Sequence, residues 1–487
     1  MARGDVRHSA VPSGRRMRRW GSGVVLLVLV LAVASYAFDL GPRVLGWEQP
    51  SPVTEPAEVA PPPGLTLPTA SPADEVAATS EEQAADPASV RRAVARLMRD
   101  SDLGPRVSVA VGQLGDGTTV FEAGPATVTP ASTMKMLTTA AALATLGPDH
   151  RFRTTVVAGA GPREVVLVGG GDPLLARRPA GDAYPARADV VTLARSTARS
   201  LKDLGRTRVR LGYDTSLFSG PAVSPGWPAS YVTEDVVSRI SPLWVDEGRE
   251  REGLVPRADD PALAAATEFA SALRRQGIAV RGAPRPATAA PEAAAYAEVA
   301  GAPLSQVAQW VLEMSDNEAA EVLLRHVAIA EGRPASFAGG SAAVGDVLAR
   351  LGVDTAGARI VDGSGLSRKN RLSAGTLLGV VGVAAADAHP ELRTVVTGLP
   401  VAGFTGSLSQ RFENGSAEGL GRVRAKTGTL TGVHGLAGVV TARDGTVMSF
   451  VAIADRVKVE DTLDARERLD QLAAALAGCR CAAADPS

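Results

Sequence analysis

The residues of this chain best suited to chemistry fall in three short runs. Ser132-Thr133-Met134-Lys135 sets a hydroxyl and an ammonium three positions apart at the start of an expected helix. Positions i and i+3 share a helix face, so the two groups can meet. A serine hydroxyl is a poor nucleophile until a neighbouring base takes its proton, and a lysine stripped of water can be that base. The helix N-terminus adds a field that favours developing negative charge. A plainer account is a serine cap followed by a solvated lysine. With five lysines and 32 serines in the chain, roughly 0.3 such pairs arise by chance. The neighbours count against it, because Met134, Met136, Leu137, Ala140, Ala141, Ala142 and Leu143 make a largely apolar helix.

The second run, Ser315-Asp316-Asn317, lies between an apolar-periodic helix ending at Met314 and another starting at Glu318. By itself it reads as ordinary helix capping. Its chemical reading is a second hydroxyl that passes a proton to a leaving group, with an amide that holds lysine and substrate. The third run, Lys426-Thr427-Gly428-Thr429, precedes two apolar strands. A glycine between hydroxyls lets an extended ligand approach a strand edge, lysine attracts a carboxylate, and backbone N–H groups can polarise a carbonyl. A Lys-Thr/Ser-Gly triplet is expected roughly 0.06 times by chance, and all three runs in this order well below ~1% of the time. Other chemistries lack their signatures: there is no G-x-S-x-G, G-x-x-x-x-G-K-[ST], H-E-x-x-H or E-x-x-L-N, and the five histidines are scattered.

These runs need a scaffold. Pro87–Arg99 reads as a helix, Arg106–Gly112 as a strand, and Asp116-Gly117 as the turn to a second strand ending at Phe121. A helix opens at Pro130-Ala131 and stops before Gly147-Pro148. Strand-like runs such as Glu164–Val168 and Thr207–Leu211 dominate as far as Val299, and residues 303–330 return to helix. Gly435–Thr441 and Thr446–Ile453 form strands around Asp444-Gly445, and a closing helix covers about Thr462–Leu476. The pattern is that of an α/β (α+β) domain interrupted by other material, with an antiparallel sheet built from the first hairpin and the last.

The 487 residues carry a net charge of -1, which leaves no basic excess for nucleic acid. Two cysteines, Cys479 and Cys481, exclude a disulfide-rich scaffold and either pair with each other or stay free. Residues 1–20 hold six arginines against one acid, and residues 21–38 are uncharged. That pattern addresses the following chain across the cytoplasmic membrane, either as a transmembrane anchor over 21–38 or as a signal peptide cleaved near Ala32-Val33-Ala34. Residues 39–88 are a proline-rich linker. The folded part divides into a catalytic portion at 89–155, an inserted domain at 156–299, a second catalytic portion at 300–358, a second small insertion at 359–408 and a third catalytic portion at 409–487.

The order S-x-x-K, S-x-N, K-T-G resembles that of the penicillin-recognising serine enzymes. The 183 residues between Ser132 and Ser315 exceed a simple β-lactamase and fit an inserted domain, shortened relative to its fuller forms. Val168-Gly-Gly-Gly-Asp-Pro-Leu174, Asp362-Gly-Ser-Gly-Leu366 and Thr405-Gly-Ser-Leu408 are similar to the D-Ala-D-Ala carboxypeptidase/endopeptidase branch, the low-molecular-mass class C penicillin-binding proteins. The likeness runs from about Ser89 to Leu476. It implies a penicillin-binding-protein/β-lactamase-like transpeptidase fold and no metal or organic cofactor. Ser132 would be the acylated nucleophile and Lys135 its base. Ser315 and Asn317 would relay protons and place the substrate, and Lys426, Thr427, Gly428 and Thr429 would bind its terminal carboxylate. The N–H groups of Ser132 and Thr429 would form the oxyanion hole. The implied partners are peptidoglycan stem peptides and β-lactam antibiotics, met outside the cytoplasmic membrane. A β-lactamase or esterase of the same fold and a non-catalytic penicillin-binding wall sensor are the alternatives.

Overall fold

The computed structural model describes residues 83–114, 117–251 and 256–483. The basic run 1–20, the apolar run 21–38 and the linker as far as residue 82 lie outside the described residues, as does Asp116. Among the described residues no helix is long and apolar enough to cross a membrane.

The chain enters through α1 (Pro87–Val94), which Asp86 caps by accepting from Ala88 N and Ser89 N and which proline opens. Strands β1 (Val107–Gln113) and β2 (Thr119–Ala123) follow. A short 3-10 turn, Ala131–Thr133, then leads into α2 (Met134–Leu146). Every residue of α2 from Met134 to Leu143 is buried, because α2 is packed on by the helices that come later in the chain. It is therefore apolar almost all round instead of striped.

After α2 come β3 (Arg151–Ala158) and β4 (Glu164–Val168), α3 (Val190–Asp203), β5 (Arg208–Asp214) and α4 (Pro261–Arg275). The short strands β6 (Ala279–Val280) and β7 (Arg285–Pro286) precede β8 (Ala295–Pro303). These strands form one mixed sheet in the order β6-β5-β4-β3-β8, with β7 also beside β5. One face is covered by α3 and α4. The opening strand β3 pairs with the closing strand β8, and Leu304 N donates to His150 O at 2.8 Å. The segment therefore leaves and rejoins the chain at one place, and its outer strands run from Arg151 and to Pro303.

The helices α5 (Leu304–Glu313), α6 (Asn317–Ala330), α7 (Phe337–Arg350) and α8 (Ala374–Ala385) surround α2. Within residues 359–408, α8 packs directly on β1 and shares the main apolar core with α2. The last elements are β9 (Val423–Leu430), β10 (Val433–Thr441), β11 (Val447–Ala454) and α9 (Thr462–Gly478). A five-stranded antiparallel sheet results, ordered β2-β1-β11-β10-β9. The first and last hairpins of the folded part meet in it, through register pairs such as Val109↔Ala452. The helical core covers one face, while α9 and α1 cover the other. Cys479 and Cys481 pair with each other in a disulfide.

Candidate active site

Ser132 sits in the 3-10 turn and Lys135 in the first turn of α2. Lys135 is fully buried. Its Nζ donates to Ser132 Oγ at 3.0 Å, Asn317 Oδ1 at 2.7 Å and the Ser364 carbonyl at 2.7 Å. Those three acceptors use all three ammonium protons. Burial pushes the lysine down to about 8, against the opposing pull of Glu321, Asp316, Asp362 and Glu318. The hydrogen bond to Ser132 is thus made by a lysine that can give up its proton near neutral pH, as a general base must.

The Ser315 run serves both readings that its sequence allowed. Asp316 is the N-cap of α6, accepting from Ala319 N at 2.9 Å, and its other oxygen accepts from Trp310 Nε1 at 2.9 Å. Capping fixes the helix whose first residue, Asn317, reaches Lys135. Ser315 adopts the left-handed conformation, with φ of 59°. For a non-glycine residue this is uncommon and is retained where the surroundings enforce it. Ser315 and Asn317 line one wall of the same cavity.

Lys426 lies on β9 with no exposed surface, and its Nζ donates to Thr427 O at 3.1 Å. Burial and the nearby Lys135 charge hold it well below the ordinary lysine range. The ammonium expected to attract a carboxylate is therefore folded against its own strand, not open in the cleft. Thr427 Oγ1 lies 2.9 Å from Ser407 Oγ, and Thr429 is exposed. Gly428 is required where it stands, since a Cβ there would come within 2.8 Å of Pro130 O. Its bare backbone lets β9 run against the turn that carries Ser132.

Two supports of the site were given no role by the motifs: Asp362, which stood in a quoted run, and Glu321, which stood in none. Glu321, one turn after Asn317 on α6, accepts from Gly363 N at 2.9 Å and Ser364 N at 2.8 Å. Burial and the Asp362 charge push it up to about 8. Asp362 accepts from Trp227 Nε1, Ser367 N, Gly365 N and Asn370 Nδ2 at 2.6–3.0 Å. Together they tie the loop that presents the Ser364 carbonyl to Lys135. The glycine flanking Ser364 is also forced, because a Cβ on Gly365 would lie 1.8 Å from Ala131 O. The Asp-Gly-Ser-Gly string was a visible signal for this loop. Glu321 had only its i+4 spacing from Asn317.

A buried lysine bonded at once to a helix-start serine, an S-x-N amide and a loop carbonyl, beside a K-T-G strand on an antiparallel sheet, defines a serine-acylating enzyme of the penicillin-binding-protein and β-lactamase fold. Residues 90–258 and 249–476 match the model of the D-Ala-D-Ala carboxypeptidase 3 (S13) family. The chain belongs to that family. It is 37% identical over 485 residues to carboxypeptidase DacB of Mycolicibacterium smegmatis, covering 96% of this chain and 99% of the relative. It is 39% identical over 408 residues to carboxypeptidase Rv3627c of Mycobacterium tuberculosis, covering 81% and 85%. The fold matches the crystal structure of penicillin binding protein 4 (dacB) from Haemophilus influenzae with a TM-score of 0.61, at 21% identity over 79% of this chain and 98% of that one.

Proposed function

We propose that this chain is a serine-type D-Ala-D-Ala carboxypeptidase, with endopeptidase action on cross-links, that works on peptidoglycan stem peptides through an acyl-enzyme at Ser132. The observation that carries the reading is the contact set of Lys135 Nζ. Neutral Lys135 takes the Ser132 proton while Oγ attacks the penultimate D-Ala carbonyl. The N–H groups of Ser132 and Thr429 receive the oxyanion. As the C–N bond breaks, the proton held by Lys135 passes through Ser315 to the departing amine of the terminal D-Ala. That residue's carboxylate rests on Thr427 and Thr429, beside Lys426. Water then enters the vacated space, loses a proton to Lys135 and releases the acyl chain, and the proton returns to Ser132. At pH 7 about a tenth of Lys135 is neutral, given a value of about 8.

Penicillin acylates the same serine, but its leaving group stays tethered and obstructs water, so that adduct persists. Intact-mass spectra with penicillin and a D-Ala release assay test the reading. One adduct per chain together with multiple turnovers of peptide supports it. Rapid penicillin turnover without D-Ala release points to a β-lactamase. The arginine-flanked run 21–38 anchors the catalytic part outside the cytoplasmic membrane. Protease added to spheroplasts should shave that part off, and full protection refutes the placement.

A further inference from the structure

Lys135 and Glu321 grip one short loop from two helices. Helix α2 donates to its carbonyls, Lys135 Nζ to Ser364 O at 2.7 Å and Thr138 Oγ1 to Gly363 O at 2.8 Å. Helix α6 accepts from its N–H groups, since Glu321 Oε2 takes Gly363 N at 2.9 Å and Oε1 takes Ser364 N at 2.8 Å. Neither Lys135 nor Glu321 has exposed surface. The base and a carboxyl are thus bonded to the same dry residue, where water screens charge weakly. Asn317, which also accepts from Lys135, lies one turn before Glu321 on the same face of α6.

The other charged groups around the pair are committed elsewhere. Glu318 accepts from Ser238 N and Arg257, and Asp316 caps α6 and holds Trp310. Arg325, one turn beyond Glu321, donates to the carbonyls of Ser219, Pro221 and Ala335. Lys426 bonds to Thr427. Asp362 is bonded to four donors, whereas Glu321 is given two backbone N–H groups. Where two acids lie together in a dry site, the one with more donors keeps the charge. Glu321 is therefore the member that holds a proton, pushed up to about 8 by burial and then by the Asp362 charge. Among the acids that pull on Lys135 it pulls hardest.

We infer that Glu321 is a positioning residue for the general base: it fixes the loop that holds Lys135, and its carboxyl, neutral or charged, sets how firmly that lysine keeps its proton. The inference rests on the function proposed above. A protonated Glu321 gives the ammonium no counter-charge, so the lysine lets its proton go near neutral pH. An ionised Glu321 favours the ammonium and raises the lysine. The carboxyl thus works against the base as pH climbs.

Stopped-flow acylation of the full chain by penicillin across pH 6–10 compares wild type with Glu321→Gln, which is neutral at every pH. The rising limb should level off about one pH unit lower in the variant. Glutamine offers one carbonyl to two N–H groups, so the plateau should fall as well. A merely loosened loop lowers the rate at every pH and leaves the midpoint in place. An unmoved midpoint, or one displaced upward, overturns the inference. If Glu321→Gln does not fold, the reciprocal measurement decides. Lys135→Met spares both bonds to Glu321, and carbon NMR should show the Glu321 carboxyl titrating at higher pH than in wild type, because a coupling is felt equally by both partners. A carboxyl unmoved by loss of the lysine overturns the inference. Wild type that takes no penicillin and releases no D-Ala fails the proposed function, and the role of Glu321 with it. Wild type that does both, while its limb coincides with that of Glu321→Gln, removes Glu321 alone.

Discussion

Strands β10 and β11 of the five-stranded sheet are buried along nearly their whole length, whereas β3 and β5 of the mixed sheet begin with alternating exposed and buried residues. The first sheet is covered on both faces, and the second leaves Arg151, Arg153, Arg208 and Arg210 in water. The difference decides where chemistry can be placed. A lysine on the wet face of the mixed sheet would stay solvated and charged. Lys135, closed in between α2, α6 and the loop at Ser364, loses its water and moves toward neutrality. The same contrast holds within the site. Lys135 has three acceptors, one of them the Ser132 hydroxyl, whereas among the described residues Lys426 bonds only to its own neighbour Thr427. Both are buried, but only the first is placed to take the proton from Ser132.

Ser132→Ala gives the largest expected effect. Penicillin adduct and D-Ala release should both vanish, a loss of about 10⁴-fold or more, and an adduct surviving in this variant rejects the assignment. Lys135→Arg keeps the charge but not the capacity to lose a proton. Acylation should fall by about 10³-fold on the scale of general-base catalysis, and near-normal labelling would show a purely electrostatic lysine. Asn317→Asp sets a carboxylate where an amide now accepts from Lys135, which should raise the lysine by about one to three pH units. In wild type the neutral lysine gains population as pH rises, so acylation should climb about tenfold per unit and level off above about 8. In the aspartate variant the whole curve should move to higher pH, and stopped-flow acylation across pH 6–10 reads both. The smallest effects compare the two sheets directly. Leu436→Ala, in the doubly covered sheet, should cost about 2–5 kcal/mol in denaturant unfolding. Arg153→Ala removes a half-exposed ion pair to Glu298 on the mixed sheet, and should stay within about 0.5 kcal/mol. Similar costs at both positions would erase the distinction.

The three motifs, the apolar helix behind Lys135 and the meeting of the first and last hairpins were legible because each is a local property of spacing, turn residues and hydrophobic period. Ser132 and Lys135 are three residues apart, and any helix at that place brings them together. The pairing of β3 with β8 was not legible, because their registers join residues about 140 apart with no shared period. The pairing of Cys479 with Cys481 was one of two open readings until the fold settled it.

What the chain determined by itself was which groups could react. Whether they would was decided by closure over long separations. Ser364 lies 229 residues from Lys135 and Asn317 lies 182 away, and no sequence period connects them. Their arrival removes water from the lysine and gives its protons fixed acceptors. Lys426 shows the converse, since nothing in Lys-Thr-Gly-Thr tells that its ammonium is folded against the strand. A lysine's pKa depends on burial and on neighbours, and both belong to the folded packing.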